Sequence, residues 1–378
     1  MAKTYSFYVK GICALALMSI VAGCGQVARE TGAQEETQTL LHSDAVSSVV
    51  SVAQTRQLVG IDKAYAILRD PSYWGAGQTG LPSAYQRRPQ STEFDPVITV
   101  LGDSIDLTLP VTKQTRLNAS NTYAYPIKKT SFSTDILSVI VGNSDETSLY
   151  PRTASSDCKL TYKSFNIYGD SPEKVFTNVQ YTALAYVNTH SGDVAVIHMK
   201  NFYGKTISQS IARYGILFKT FLAYNKYTSI VVSIGDEFKN ELPALQKLFE
   251  QCSNIIVVGC IDTNKKYTSP FKSLIDIAVP ATQGTASVTG DARALPYVVS
   301  TVAMMRSVVP NGSYPANGAK LKEIIKYTTK TSKLLNAGSI IDVLRTMVMI
   351  ERRTQFNRPP LFVGSQPLPA DFPKFDRK

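Results

Sequence analysis

The sequence predicts an α/β fold with three layers, in which a mainly parallel central sheet is covered by helices on both faces. Short, uniformly apolar runs occur at 97–101, 229–234 and 255–258. Such runs are typical of strands buried on both faces of a parallel sheet. Longer segments at 206–224 and 241–252 repeat apolar residues at helical spacing. Strands that alternate with helices in this way favour parallel strand–helix–strand units.

Length and composition favour a large folded domain without a nucleic-acid or metal site. The chain has 378 residues, of which 44% are hydrophobic, so it can bury a sizeable core. Its formal net charge is +11, and a basic surface can attract anionic partners. The basic residues form no nucleic-acid-binding motif, so we expect no such partner. We also expect no metal and no cofactor, because the sequence shows no metal-ligand grouping and no glycine-rich phosphate loop.

The N-terminus predicts export and a lipid anchor. Two lysines precede an apolar run at 11–20, which is too short for a membrane span and has the shape of a signal peptide covering 1–23. Val-Ala-Gly-Cys, ending at Cys24, resembles a bacterial lipobox, which implies lipid on the Cys24 thiol and a membrane partner. Gly25 follows, which resembles the outer-membrane sorting class if the cell is Gram-negative. The alternative is an ordinary signal peptide or anchor that contains a cysteine.

The remainder divides into three parts. Residues 24–57 are rich in Gln, Glu, Thr and Ser and predict a flexible tether. We expect the α/β domain at 58–350, with a short helix or strand near its start and a strand at 136–141. Residues 351–378, rich in Arg, Pro and Phe, predict an extended tail.

Three cysteines remain beyond Cys24, namely Cys158, Cys252 and Cys260. An exported chain meets a non-reducing compartment, and an odd count leaves one thiol over. Cys252 and Cys260 flank one predicted strand. A disulfide between them is possible, but their spacing does not require it.

The segment 290–299 carries the main resemblance to a known family. It reads Gly-Asp-Ala-Arg-Ala-Leu-Pro-Tyr-Val-Val, follows a predicted strand at 275–280 and opens an apolar helix. It resembles the nucleophile segment of subtilisin-like serine peptidases, Gly-Thr-Ser-Met-Ala-Thr/Ser-Pro-His-Val-Ala. Ala292 stands in the position of the serine. Arg293 beside it is a candidate for binding an acidic group in the cleft, or it points to solvent.

The same resemblance covers the strand at 97–101 and the residues after it. The family pattern there is Val-Ala-Val-Ile-Asp-Thr/Ser-Gly. Without a gap, Gly102 takes the position of the catalytic aspartate. With a slip of one residue Asp103 takes it, but such a slip turns a strand side chain to the other face. Asp103 is equally consistent with a loop-capping residue.

The resemblance places the general base on a helix further along the chain. Residues 163–170 resemble the Gly-Tyr/Trp-Asn-Phe stretch that precedes the family's His-Gly-Thr-His helix. This alignment assigns the helix to 175–181, where Val175 and Asn178 replace the two histidines. The chain's own His190 and His198 lie before and within a strand, where we expect structural roles.

Three later segments match family strands in order. Residues 193–200 resemble Leu-Val-Ala-Val-Lys-Val, 229–235 resemble Val-Asn-Met-Ser-Leu-Gly, and 254–262 resemble Val-Ile-Ala-Val-Gly-Ala-Val/Ile-Asp. In this alignment the strand that precedes the oxyanion asparagine, Val-Val-Ala-Ala-Ala-Gly-Asn, is deleted. An alternative uses 254–259 as that strand, at the expense of later matches.

The resemblance, which runs over about 70–345, implies a subtilisin-like fold without an intact site. Acyl transfer in this family needs a serine, a histidine, an aspartate and an oxyanion donor. We therefore expect a catalytically inactive, membrane-anchored domain of the cell envelope that binds a peptide or protein or regulates a protease. The alternatives are an active serine endopeptidase with a displaced site and a structural envelope lipoprotein.

Overall fold

The computed structural model of the chain describes residues 51–64, 96–103, 117–121, 131–141, 149, 160–167, 194–224, 226–261, 269–280, 285, 287–308, 317–329 and 340–354. The predicted signal peptide, most of the tether, most of the tail and Cys24, Cys158, Val175, Asn178 and His190 lie outside these residues. The described residues belong to one compact unit within 47–378.

Seven described strands form one parallel sheet. They are β1 (Val97–Gly102), β2 (Leu117–Asn121), β3 (Leu160–Asn166), β4 (Val194–Met199), β5 (Ser229–Ile234), β6 (Ile255–Ile261) and β7 (Ile277–Pro280). Their order across the sheet is β2-β3-β1-β4-β5-β6-β7, and every neighbouring pair is parallel. The predicted α/β class is confirmed.

The described α-helices are α1 (Val52–Val59), α2 (Phe132–Val141), α3 (Ile207–Tyr224), α4 (Leu242–Glu250), α5 (Leu295–Val308), α6 (Gly318–Thr328) and α7 (Val343–Thr354). A 3-10 helix, Gly290–Ala294, leads directly into α5. Within the described residues, no helix is both long and apolar enough to cross a membrane.

Helices cover both faces of the sheet. Consecutive residues of a strand point to opposite faces, so each strand packs against both layers of helices. Val194 and Val196 of β4 pack in a cluster with α1, α2, α5, α6 and α7, which we call the α5-side core. Ala195 and Ile197 of the same strand pack with α3 and α4 in the α3-side core. A strand that is apolar on both faces gives the continuous apolar runs seen in the sequence.

The folded part begins earlier than predicted. Helix α1 starts at Val52, inside the segment assigned to the tether. Ser51 caps it, since its Oγ accepts from the backbone N–H of Gln54 and the Gln54 side chain accepts from the Ser51 N–H. Gly60 ends it with φ of 80°. Val59 is fully buried in the α5-side core, so the sequence boundary at 58 was too late.

The strand predicted at 136–141 is wrong, because this run belongs to helix α2. Ser131 begins the helix by accepting from the Thr134 backbone N–H at 3.0 Å. Ile136 and Ile140 then recur four residues apart and are buried in the same core. The β-branched residues favour a strand locally, but packing of one helical face against the sheet decides the outcome.

The docking of α6 predicts a strong glycine requirement at Gly318, its first residue. A Cβ atom there would collide with the Thr228 carbonyl oxygen, which is backbone and has little freedom to move. We expect Gly318→Ala to lower the free energy of unfolding by roughly 1–3 kcal/mol, measured by urea denaturation.

The matched control is Gly215→Ala inside α3, where the nearest atom is Leu248 Cδ1 at 3.4 Å. Because alanine is the better helix former, we expect this variant to gain up to about 1 kcal/mol. Equal stability of the Gly318→Ala variant and the wild type would contradict the close packing of α6.

Candidate active site

The carboxyl ends of β1, β4 and β5 meet at one edge of the sheet, and polar residues follow each of them. Asp103 follows β1, Lys200 follows β4, and Gly235-Asp236 follow β5. Ligand and catalytic sites of open parallel sheets lie at this edge. It is therefore the candidate site.

Asp103 holds the N-terminus of α2. Its two carboxylate oxygens accept from the backbone N–H groups of Phe132 and Ser133, each at 2.9 Å. The Ser133 hydroxyl donates to the Asp103 carbonyl oxygen at 2.6 Å. A carboxylate at this place satisfies orphan helix donors and complements the helix dipole.

Gly102 and Asp103 have different roles, which the alignment left open. A Cβ at Gly102 would lie 3.1 Å from Phe132 Cδ1, so the close approach of α2 favours glycine. The carboxylate that faces the helix belongs to Asp103. Asp103 therefore has the loop-capping role that the sequence left open, and its place in the family pattern stays a prediction.

Phe132 is the first residue of the helix that contacts Asp103. This helix is α2, which opens Ser131-Phe132-Ser133-Thr134-Asp135. Phe132 and Asp135 are three residues apart on it, as are the two histidines of His-Gly-Thr-His in the family pattern. The earlier candidates, Val175 and Asn178, lie outside the described residues. Sequence matching missed the contact because it joins residues about 30 positions apart.

The ring of Phe132 is enclosed by residues of β4. It is 2% exposed and stacks on the His198 imidazole, with ring centroids 5.7 Å apart and an interplanar angle of 30°. The Lys200 ammonium lies 5.9 Å from the centroid of the same ring. Hydrophobic burial, stacking and a cation–π contact together fix the ring at the sheet edge.

His198 pairs with a serine on the neighbouring strand. Its Nδ1 lies 2.8 Å from Ser233 Oγ, and the two residues are directly opposite each other in the β4–β5 register. Burial, followed by the nearby charge of Lys200, lowers the pKa of His198 to about 4. The imidazole is therefore neutral at pH 7. The sequence predicted a structural histidine in a strand, but not its position beside Phe132.

Asp135 ties α2 to the segment that leads to Ala292. One of its carboxylate oxygens accepts from the Thr285 hydroxyl at 2.7 Å and from the backbone N–H of Ser287 at 3.1 Å. It also accepts from the Ser287 hydroxyl. Asp135 is thus a structural carboxylate that joins α2 to residues 285–287.

Ala292 lies on the 3-10 helix Gly290–Ala294 and is fully buried in the α5-side core. Its backbone N–H donates to the Thr289 carbonyl oxygen at 3.1 Å. The preceding carboxylate, Asp291 Oδ1, accepts from the Cys260 N–H at 2.8 Å and fastens the helix to β6. Burial raises the pKa of Asp291. The position of the nucleophile therefore carries a methyl group in a rigid setting.

Arg293 interacts with the two residues Gly290 and Asp291 of the same 3-10 helix. Its Nε donates to the Gly290 carbonyl oxygen at 3.0 Å. Its charge lowers the pKa of Asp291, against the larger raising effect of burial. The guanidinium therefore helps to balance a half-buried carboxylate of this chain. Binding of an acidic ligand by Arg293 stays a prediction.

Asp236 lies at the same edge of the sheet. Strand β5 ends at Ile234, and Gly235 and Asp236 follow it. In the family pattern, Gly-Asn follows the strand that precedes the oxyanion site, and here Gly-Asp follows a strand. The side chain of Asp236 is exposed, and its charge adds to the effect of burial in raising the pKa of Asp291. A carboxylate there is an acceptor and cannot donate to an oxyanion.

The two described cysteines are free thiols, so the possible disulfide between Cys252 and Cys260 is absent. Cys252 packs in the α3-side core and Cys260 in the α5-side core, on opposite faces of the sheet. Burial and the charge of Asp291 raise the pKa of the Cys260 thiol to about 12. Among the described residues, no three His, Cys, Asp or Glu side chains form a group suited to a metal ion.

The fold and the edge together define a three-layer α/β domain with an aspartate, an aromatic residue and a buried alanine at the carboxyl edge of its sheet.

No family model and no curated protein matches the sequence. Among solved structures, the chain is similar to a lanthipeptide protease, with 13% identity, coverage of 77% of this chain and 97% of the other, and a TM-score of 0.45.

Two further similarities are to the self-cleaved protease domain of PatA and to the PatG macrocyclase in complex with peptide. The PatA domain is 12% identical and covers 70% of this chain and 99% of its own, with a TM-score of 0.42. The PatG macrocyclase is 14% identical and covers 72% and 96%, with a TM-score of 0.42. Likeness at this distance concerns the arrangement of strands and helices and does not extend to activity.

Proposed function

We propose that this chain is a subtilisin-like domain without hydrolytic activity, anchored to a membrane by lipid on Cys24, which binds a peptide or protein or regulates a protease. The observation that carries the proposal is the contact between Asp103 and the start of α2. The carboxylate that would orient a base instead binds the backbone of the helix whose first residue is Phe132.

Each chemical step of acyl transfer lacks its group in this arrangement. Ala292 offers no nucleophile, and the Phe132 ring accepts no proton. Asp236 places a negative charge where an oxyanion would develop, which opposes its formation. Loss of a single triad member costs on the order of 10⁴–10⁶ in turnover. A retained scaffold with all of these groups changed supports a binding role.

A second candidate function, a serine hydrolase with a displaced site, is favoured by one observation. His198 and Ser233 lie within hydrogen-bond distance, and a neutral imidazole is able to accept the serine proton. However, Ser233 is fully buried within β5, a strand that lies between β4 and β6 inside the sheet, so a substrate carbonyl has no approach to its Oγ. Ala292 is also buried, but it lies outside the strands on a 3-10 helix. We therefore favour the inactive domain.

Labelling with a fluorophosphonate probe separates the two candidates. We expect the intact wild-type chain to label no faster than the heat-denatured chain, because Ala292 has no hydroxyl and Ser233 is fully buried. The matched control is Ser233→Ala, which we expect to behave as the wild type. Specific labelling of the wild type that disappears in Ser233→Ala would establish the displaced site and overturn the proposal.

A further inference from the structure

Helix α2 is held at the sheet edge by two different attachments. The first is the Asp103 carboxylate on the backbone of Phe132 and Ser133. The second is the side-chain cluster formed by Phe132, His198 and Ser233, which we call the Phe132 latch. It joins α2 to β4 through the ring stack and joins β4 to β5 through the Nδ1–Oγ contact.

The surroundings of His198 in the Phe132 latch favour the uncharged form of its imidazole. His198 is largely enclosed between strand neighbours and the Phe132 ring, where a charged imidazolium loses hydration. Lys200, two residues along, already places its ammonium over the same ring. Protonation of His198 would therefore put a second positive charge beside the Phe132 ring, close to that of Lys200.

Among the described residues, the other elements around the latch supply little compensating charge. Residues 229–234 of β5 contain no charged side chain, and the charged residue of α5 is a cation, Arg306. On α2, the Asp135 carboxylate accepts hydrogen bonds from Thr285 and Ser287. After β1, the Asp103 carboxylate accepts hydrogen bonds from the backbone N–H groups of Phe132 and Ser133. Both carboxylates thus have committed partners in this arrangement.

We propose that the Phe132 latch is an acid-released device that frees the N-terminal turn of α2 from the sheet edge. When the imidazole gains a proton, repulsion from Lys200 and loss of hydration weaken the stack on Phe132. The first turn of α2 then separates more readily from β4 and uncovers the carboxyl edge at Asp103. The proposal is independent of whether the site hydrolyses peptides.

The direction of the pH effect follows from the lowered pKa of His198. Its value is about 4 in the folded chain against 6.5 ordinarily. The stability that depends on the neutral imidazole is fully present above about pH 6.5 and is lost as the pH falls to about 4. Between these limits the folded-to-unfolded ratio falls by up to roughly tenfold per pH unit, or on the order of 300-fold in all.

Hydrogen exchange of the Phe132 and Ser133 amides in the intact chain, from pH 7 to pH 4, tests the latch. After correction for intrinsic exchange, we expect protection at these amides to fall towards pH 4 before that of the β4 amides. In His198→Gln, which keeps an amide near Ser233, this early loss should disappear. In Lys200→Met, the loss should be smaller, because removing the ammonium removes its repulsion and brings the pKa of His198 closer to its ordinary value.

The matched control is Lys226→Met, since Lys226 lies 5.4 Å from the Tyr227 ring centroid in another part of the chain. We expect its exchange profile to equal that of the wild type. Acid also affects other groups of the chain, but that contribution persists in His198→Gln, so comparison with this variant removes it. An unchanged profile in both His198→Gln and Lys200→Met would overturn the proposal.

Discussion

The double variant Phe132→His/Ala292→Ser should react with a fluorophosphonate probe about 10²–10⁴ times faster than the single variant Ala292→Ser. A general base contributes this range when it is positioned to take the proton of the nucleophile. The backbone nitrogen of residue 132 is 2.9 Å from the Asp103 carboxylate, so an imidazole introduced there starts beside its orienting partner. The measurement is the second-order labelling rate of the folded proteins.

Two controls make this expectation specific. Ala292→Ser alone should label no faster than the wild type, because Phe132 supplies no base. Adding Asp103→Asn to the double variant should remove most of the gain, because the imidazole then loses its orienting carboxylate. Rapid labelling of Ala292→Ser alone would show that the base lies elsewhere and that Phe132 was wrongly assigned.

Phe132→Ala should lower the free energy of unfolding by about 3–5 kcal/mol, as measured by urea denaturation at pH 7. The ring is almost fully buried and contacts His198 and Lys200, so its removal loses apolar burial and leaves a cavity. Because the Asp103 cap uses the backbone, helix α2 should still form. The slope of the transition should therefore change little.

Phe271→Ala provides the matched control, since Phe271 is 1% exposed and packs in the α3-side core on the other face of the sheet. We expect a comparable loss of global stability there. Only Phe132→Ala should also increase exchange at the amides of Phe132 and Ser133 relative to the rest of α2. A loss below about 1 kcal/mol for Phe132→Ala would contradict its role in fastening the helix.

The sequence located most of the sheet but misplaced one of its helices. Strands β1, β4, β5 and β6 were predicted because a strand buried on both faces is apolar at every position. The same local argument failed at 136–141, where β-branched residues form part of α2. There the N-terminal cap at Ser131 and burial of Ile136 and Ile140 against the sheet outweigh local preference.

The site could be predicted only in part. The segment around Ala292 could be singled out, because glycine, alanine and proline follow one another at fixed spacing in one short segment. The contact of Asp103 with Phe132 could not, because it joins residues about 30 positions apart. A strand buried on both faces is apolar wherever it lies in the sheet, so composition alone does not show which helix meets which strand end.

By itself, the sequence determined the class of fold and the absence of a serine at Ala292, because both depend on local patterns of residues. The tertiary structure decided which helix meets Asp103 and that His198 lies against Phe132. Those contacts join residues far apart in the chain, and their positions depend on strand order and on loop lengths. The carboxyl edge of a parallel sheet collects such residues from separate segments, so its chemistry is defined only when the sheet has formed.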